Sequence, residues 1–312
     1  MANKIAFCTG CDSNYFPLLE ELILSVERFP QSQQIDWCFW DVGLTAEQVQ
    51  WLKQYSSNIV KPDWPLPHLA EQYAHKEYIK ACVNRPFLPQ HFPGYETYVW
   101  LDPDTWVQDW ASIEMFLAGA AKGKIALTAQ VDRAYPRTLR ATFLGPFPLK
   151  VKGFYVSNAR KAFGWQMAQK LMRHHVLLAG MFALQADAPH WQHWQKLLKD
   201  ALKKGNAFTA EQLTLGIMCH LDNYEAEILP AYTHWLCEFK PLWDEVNGQF
   251  VEPYLPHQPI GVLHMAGFDD MRIDRTLTLD FQTLEGKTIK RSYRFDHTAD
   301  LPAPRKQRPS AV

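Results

Sequence analysis

Apolar positions in the first half of the chain follow two alternating patterns. Nearly unbroken runs, KIAFCTG from Lys4, IDWCFWDV from Ile35 and TYVWL from Thr97, read as strands buried on both faces. Between them SNYFPLLEELILSVERF and TAEQVQWLKQYS carry apolar residues at helical spacing. Thr45, with Gln48 three residues on, predicts a capping box at the start of the second helix. Strand followed by helix, repeated, predicts a parallel sheet covered on both faces, with ligands beyond the carboxyl ends of its strands. The segment 73–92 reads as a helix broken near Pro86.

Past the strand at 97–101, WASIEMFLAGAAKG predicts a helix and KIALTAQV a strand. Residues 132–156 mix proline, glycine, aromatic and basic residues without a period, so they are assigned to an acceptor-facing loop; its aromatics from Tyr135 to Phe154 point to a glycan or polyol. VLLAGMFALQ is an apolar strand, and APHWQHWQKLLKDALKKG and FTAEQLTLGIMCHL are helices. Trp191, Trp194, Leu197 and Leu198 share one helical face, which favours core over sugar platforms. PIGVLHMAG is a late buried strand, and LTLDFQTLEGKTIKRSYRF a hairpin turning at Glu285 and Gly286. The tail from Leu301, rich in proline and basic residues, is expected to be disordered. No internal repeat is visible.

Composition narrows the partners. The 312 residues are 47% hydrophobic, enough for a sizeable core. Their 32 basic residues balance 33 acidic ones, so no overall field draws nucleic acid or an anionic membrane; a small-molecule or carbohydrate partner is expected. MANKIAFCTGCDSNYF lacks a signal-peptide core, and no window offers the roughly 18 apolar residues of a membrane span, so no integral membrane segment and a cytoplasmic location are expected. Six cysteines make no disulfide framework. Cys8 and Cys11 form a CxxC with no second pair, read as small residues at a strand-to-loop turn rather than a redox or metal motif.

The candidate chemistry lies in YVWLDPDTWVQD, residues 98–109, where an apolar strand ends in Asp102, Pro103 and Asp104. Two carboxylates about 4 Å apart repel by roughly 1 to 4 kcal/mol, and a divalent cation between them reverses the sign. Mn²⁺ or Mg²⁺, hard ions that leave sites open to phosphates, would suit them. An Asp-x-Asp alone is as common in a turn as in a site. The strand end, and a distant histidine at another strand end, favour the site.

YVWLDPDTWVQD resembles the Asp-x-Asp motif of glycosyltransferases with the GT-A fold, and further pieces follow in order. LLAGMFAL resembles the NAGVF segment of the family 8-type (glycogenin-like) enzymes, AEQLTLG their DQxxLN, and HMAG, His264 to Gly267, their HxxG. IAFCTGCDSNYF matches their first strand and base-binding loop. The resemblance covers residues 3 to about 267. It implies an α/β, Rossmann-like mixed sheet with helices on both faces, and a nucleotide-sugar donor, most often a UDP-sugar. Asp102, Asp104 and His264 would ligate the metal. Thr9, Gly10, Cys11, Asp12, Lys80, Asp102, Gly180 and Gly267 would line the donor, and Glu211 and Gln212 would face the reacting sugar carbon, with retention of its configuration. Lys76 and Arg85, beside Lys80, stand where relatives place a basic nucleotide contact; a solvated helix face is the alternative.

The chain departs from the pattern at three positions. Asp270 stands where the family has a diphosphate-binding lysine, with Arg272, Arg133 or Arg137 as possible substitutes; Glu211 replaces an aspartate, and Gly216 an asparagine. The division expected is a catalytic domain over 1–268, an extension with the hairpin over 269–300, and the tail over 301–312. Three rivals stand. A haloacid dehalogenase-type phosphatase also ends a strand in Asp-x-Asp, and GFDD, with Asp269 and Asp270, resembles its late metal acids; yet Trp106 stands where that motif needs a small residue, and several elements precede the aspartates. A sugar-nucleotide pyrophosphorylase would need a Gly-rich loop that CTGCDSNYF lacks. A catalytically inactive carbohydrate- or nucleotide-binding module of the same fold would bind without turnover.

Overall fold

The computed structural model describes residues 4–135 and 140–296. Its strands in chain order are β1 (Ile5–Cys11), β2 (Ile35–Asp41), β3 (Ile59–Val60), β4 (Thr97–Leu101), β5 (Thr105–Val107), β6 (Ile125–Ala129), β7 (Arg140–Leu144), β8 (Phe147–Lys152), β9 (Leu177–Gln185), β10 (Ala226–Leu229), β11 (Trp235–Leu236), β12 (Leu242–Asp244), β13 (Gln249–Val251), β14 (Val262–His264), β15 (Leu279–Gln282) and β16 (Thr288–Arg291). Seven of them form the main sheet in the order β10-β6-β9-β4-β1-β2-β3. The strands β4, β1, β2 and β3 run parallel, as do β10 and β6. β9 runs antiparallel to both β4 and β6. The sheet is therefore mixed. The strand-helix alternation of the first half accounts for its parallel part only, because an apolar run such as LLAGMFALQ carries no direction.

Alternation within the strands fills both faces. Cys8, Trp40, Tyr98 and Trp100 pack with Trp191 and Trp194 on one side. Phe7, Phe39, Val99 and Leu101 pack against the helices Phe16–Glu27 and Trp110–Ala120 on the other. The two tryptophans of the helix His190–Leu202 are thus core residues. Thr45 and Gln48 make the reciprocal capping box. The CxxC residues Cys8 and Cys11 are buried free thiols, pushed well above the ordinary thiol range by burial.

A small three-stranded sheet, β11-β14-β5, sits beside the main one. Its register opposes His264 to Thr105 and sets Leu236 beside His264. The late strand thus belongs to this small sheet and brings its histidine to the residues that follow β4. The C-terminal hairpin β15-β16 turns at Gly286, whose φ of +81° suits glycine. Phe281 and Tyr293 share an apolar cluster with Leu18, Trp106 and Trp235. Beside it, Arg294 binds Glu21 of the first helix through two hydrogen bonds of 2.7 and 2.8 Å.

Several elements carry no clear signal in the sequence. The helices Phe154–Phe163 and Trp165–Leu171 lie in a stretch read as loop or left unassigned, separated by Gly164 at φ +88°. Tyr135, expected at an acceptor-facing surface, is buried; its hydroxyl accepts from the Leu236 amide, and its ring packs on Trp235 and Phe239. Arg137 and the tail from Leu301 lie outside the described residues. Among those described, no helix is long and apolar enough to cross a membrane.

Candidate active site

Strand β4 carries four fully enclosed residues, Tyr98 to Leu101, straight into Asp102, so the aspartate is set at the carboxyl end of a central strand with little freedom. Because β9 is reversed, its early residues lie beside the end of β4: the Asp102 amide donates to the Gly180 carbonyl at 2.8 Å. Thr105 closes the turn, its amide and hydroxyl both donating to the Asp102 carbonyl. The Met265 amide donates to the Asp104 carbonyl at 3.0 Å, which holds the two chain segments in register.

Ligating atoms of Asp102, Asp104 and His264 lie within 4.8 Å of one another. Each carboxylate spends one oxygen on protein and turns the other to the imidazole. Asp102 Oδ1 accepts from Arg85 at 2.5 Å and from the Trp100 indole at 2.8 Å, while its Oδ2 lies 3.8 Å from His264 Nε2. Asp104 Oδ2 accepts from Arg272 at 2.5 Å, while its Oδ1 lies 3.5 Å from His264 Nε2. Two oxygens and one nitrogen therefore converge on one point. A Cβ on Gly180 would come within 2.5 Å of His264 Cε1 and 3.0 Å of Asp102 Oδ2. The glycine expected beside the donor sugar thus makes room for the side chains of His264 and Asp102.

Arg85 ties the metal motif to the helix Ala207–His220. Its guanidinium, nearly buried and over the Trp100 ring, binds Asp102 on one nitrogen and Glu211 at 2.5 Å on another. Glu211 is buried, and its second oxygen accepts from the Gln212 amide at 2.6 Å. Burial raises the Glu211 carboxyl to about 6 against the pull of Arg85. Burial also raises Asp102, whereas for Asp104 the cost of burial is overcome by His264 and Arg272, which hold it below the usual range. For His264, burial is outweighed by Asp104 and its pKa rises. Three carboxylates, Asp102, Asp104 and Glu211, face two guanidiniums, so with a neutral imidazole the cluster keeps one net negative charge. A divalent cation would make it net positive and receptive to a diphosphate.

The remaining expected residues divide. Thr9 is buried at the end of β1 with its hydroxyl unpartnered among the described residues. Gly10 is required by the sheet, since a Cβ there would meet Trp40 Cβ at 2.6 Å. Cys11 is buried, and Asp12 accepts from the amides of Asn14 and Tyr15. Lys80 turns to Glu77 at 2.5 Å and to the Trp64 ring, and Arg85, five residues on, enters the cluster instead. Gln212 donates its amide to the Leu177 carbonyl. Gly267 adopts φ +83° just past His264. Of the proposed substitutes for the missing lysine, Arg272 reaches Asp104, while Arg133 pairs with Glu252 and lies over Tyr254. Gly216 has a packing reason, because a Cβ would overlap the Tyr155 hydroxyl. His234 was missed; it is buried with Nε2 3.0 Å from His264 Nδ1.

No family model and no curated protein matches the chain. Solved structures do. A crystal structure of the galactosyltransferase LgtC in complex with donor and acceptor sugar analogues is 13% identical, with a TM-score of 0.53 over 84% of this chain and 87% of that one. The fold is GT-A. A structure of an active-site mutant of LgtC is similar at 12% identity and a TM-score of 0.50, again over 84% and 87%. At this identity the likeness carries the architecture; the chemistry rests on the side chains described above.

Proposed function

We propose that the chain is a metal-dependent glycosyltransferase that moves a sugar from a nucleotide-diphosphate donor, a UDP-sugar, to a hydroxyl of a glycan or other polyol, with retention at the sugar carbon. The observation that carries this reading is the cradle of Asp102 Oδ2, Asp104 Oδ1 and His264 Nε2, each carboxylate anchored by an arginine on its other oxygen. Carboxylate oxygens with one imidazole fit Mn²⁺ or Mg²⁺, and Gly180 leaves the space they need. Bound there, the ion would neutralise charge gathering on the departing diphosphate.

The chain's own residues supply the rest. Arg272 stands at the cation's edge, where its guanidinium can take phosphate oxygens in place of the absent lysine at Asp270; its Nε has no partner among the described residues. Arg85 fixes Asp102 and Glu211 relative to each other, so metal site and sugar-facing helix move as one. Glu211 can stabilise positive charge at the sugar carbon, and Gln212 next to it orients the helix start on β9. A phosphatase of the dehalogenase type would need a late acid beside the pair. Asp269 is exposed and paired with Arg272, and Asp270 is exposed, so neither closes the cluster.

Metal-dependent hydrolysis of UDP-sugars without acceptor tests the proposal. An enzyme turns donor over slowly and only with Mn²⁺ or Mg²⁺; a binding module of the same fold warms its melting transition with donor and releases no UDP. Glu211→Gln is expected to lower turnover by about a hundredfold or more with a small change in donor affinity, and equal losses in both would make Glu211 a binding residue.

A further inference from the structure

We infer that His234 is a positioning residue that fixes the tautomer and ring orientation of His264, through a hydrogen-bonded line from Thr128 to the metal cradle; this rests on the metal-dependent reading above. His234 is fully enclosed, and each ring nitrogen has one partner: Nε2 lies 3.0 Å from His264 Nδ1, and Nδ1 lies 3.0 Å from Thr128 Oγ1. The two imidazoles are nearly parallel, 17° apart with centroids 5.0 Å distant. Thr128 is buried on β6 of the main sheet, His234 immediately precedes β11, and His264 ends β14, so the line crosses from one sheet to the other.

Proton counting gives the line a direction. To offer a lone pair to a cation, His264 must be unprotonated at Nε2, and a neutral imidazole then carries its hydrogen on Nδ1. That hydrogen can only be donated to His234 Nε2, which must accept. His234 consequently carries its own hydrogen on Nδ1 and donates it to Thr128 Oγ1. With a cation on His264 Nε2, any other assignment sets two hydrogens against each other; without one, the reversed line, from Thr128 Oγ1 to His234 Nδ1 and from His234 Nε2 to His264 Nδ1, balances equally well.

The backbone of His264 is already held, since its carbonyl accepts from the Cys237 amide at 2.9 Å and the following Met265 amide reaches Asp104. Gly180 walls the ring on one side. What these contacts leave open is a half-turn of the ring, which would exchange nitrogen for carbon at both ends. His234 rewards one of the two orientations, the one that points Nε2 at Asp102 and Asp104. Groups behind a metal-ligating histidine typically change metal affinity by about 10- to 100-fold when removed.

The experiment has two arms. Long-range proton–nitrogen correlation spectra of ¹⁵N-labelled protein, metal-free and with Mg²⁺, read the tautomers directly: His234 is expected to carry hydrogen on Nδ1, and His264 to carry it on Nδ1 with Mg²⁺ present. A His234 found protonated at Nε2 with Mg²⁺ bound overturns the inference whatever the variants do. In Mn²⁺ calorimetry His234→Leu is expected to weaken binding about 10- to 100-fold. His234→Gln, which returns an acceptor near the Nε2 position, is expected to restore most of it, a rescue that a purely space-filling role would not give. Thr128→Val, one step farther out and close in shape, is expected to show a smaller loss and serves if His234→Leu does not fold. A folded His234→Leu that binds Mn²⁺ as the native protein does would overturn the inference. If the native protein itself binds no Mn²⁺, the metal-dependent reading falls instead, and the two failures are told apart.

Discussion

Two of the places where arginine meets a buried carboxylate, the Glu21–Arg294 clamp and the cluster around Asp102 and Asp104, are built differently. At the Glu21–Arg294 clamp every polar atom is used: Arg294 Nε and Nη2 take the two oxygens of Glu21, and Nη1 donates to the carbonyls of Met271 and Arg272. At the cluster around Asp102 and Asp104 the accounts stay open. Arg85 Nε and Arg272 Nε are buried without partners among the described residues, Asp102 Oδ2 lies 3.8 Å from the His264 imidazole, and with that imidazole neutral one net negative charge remains. The first arrangement holds the last hairpin to the first helix. The second leaves unpartnered buried donors beside two carboxylates and an imidazole, the arrangement on which the proposed cation site rests.

The contrast is broken most severely at the clamp. Glu21→Leu leaves the Arg294 guanidinium buried and unpaired, and a loss of about 3 to 5 kcal/mol in urea unfolding is expected. A loss well below that would mean that the clamp is no more structural than the site. A middle-sized effect concerns Glu211 in the metal-free protein. Its folded pKa, raised to about 6, lies above the ordinary 4.5, so the folded chain keeps a proton there that the unfolded chain has lost. Its contribution is therefore fully present below pH 4.5 and lost as pH rises through 6, on the order of 2 kcal/mol. Glu211→Gln should flatten that slope in unfolding curves taken between those pH values, and an unchanged slope would place the proton elsewhere. The smallest effect is expected for Asp104→Asn, which removes a carboxylate that His264 and Arg272 hold below its usual range but leaves an amide oxygen for Arg272. Metal-free stability should fall by about 1 to 2 kcal/mol near neutral pH, measured by the same unfolding curves, and no loss would mean that the pairing with Arg272 and His264 contributes nothing.

Much of the site could be read from the chain because it is built from strand ends. An apolar run stopping at Asp102 and another stopping at His264 announce themselves by period and by abrupt polarity. Arg85 was seen only as a basic residue near the motif. Its signal was local, a lone guanidinium amid Val83, Pro86, Phe87 and Leu88, where a solvated helix face would not be so apolar. His234 in AYTHWL had no comparable signal, since its partners Thr128 and His264 lie 106 and 30 residues away and only the pairing of β11 with β14 brings the rings together. Gly180 was expected beside the donor sugar and Gly10 in the base-binding loop, and a Cβ at either would strike protein neighbours, a requirement that sequence alone does not carry. In the fold, the parallel strands followed from alternation with helices. The reversal of β9 did not, because direction is set by which edge the chain reaches after the helices Phe154–Phe163 and Trp165–Leu171.

Everything proposed for function depends on a cation held between the free oxygens of Asp102 and Asp104 and the imidazole of His264. Calorimetric titration of Mn²⁺ into the native protein and into folded Asp104→Asn tests this most directly. The account predicts a single site in the native protein and no measurable heat in the variant; equal affinity in the two would contradict it.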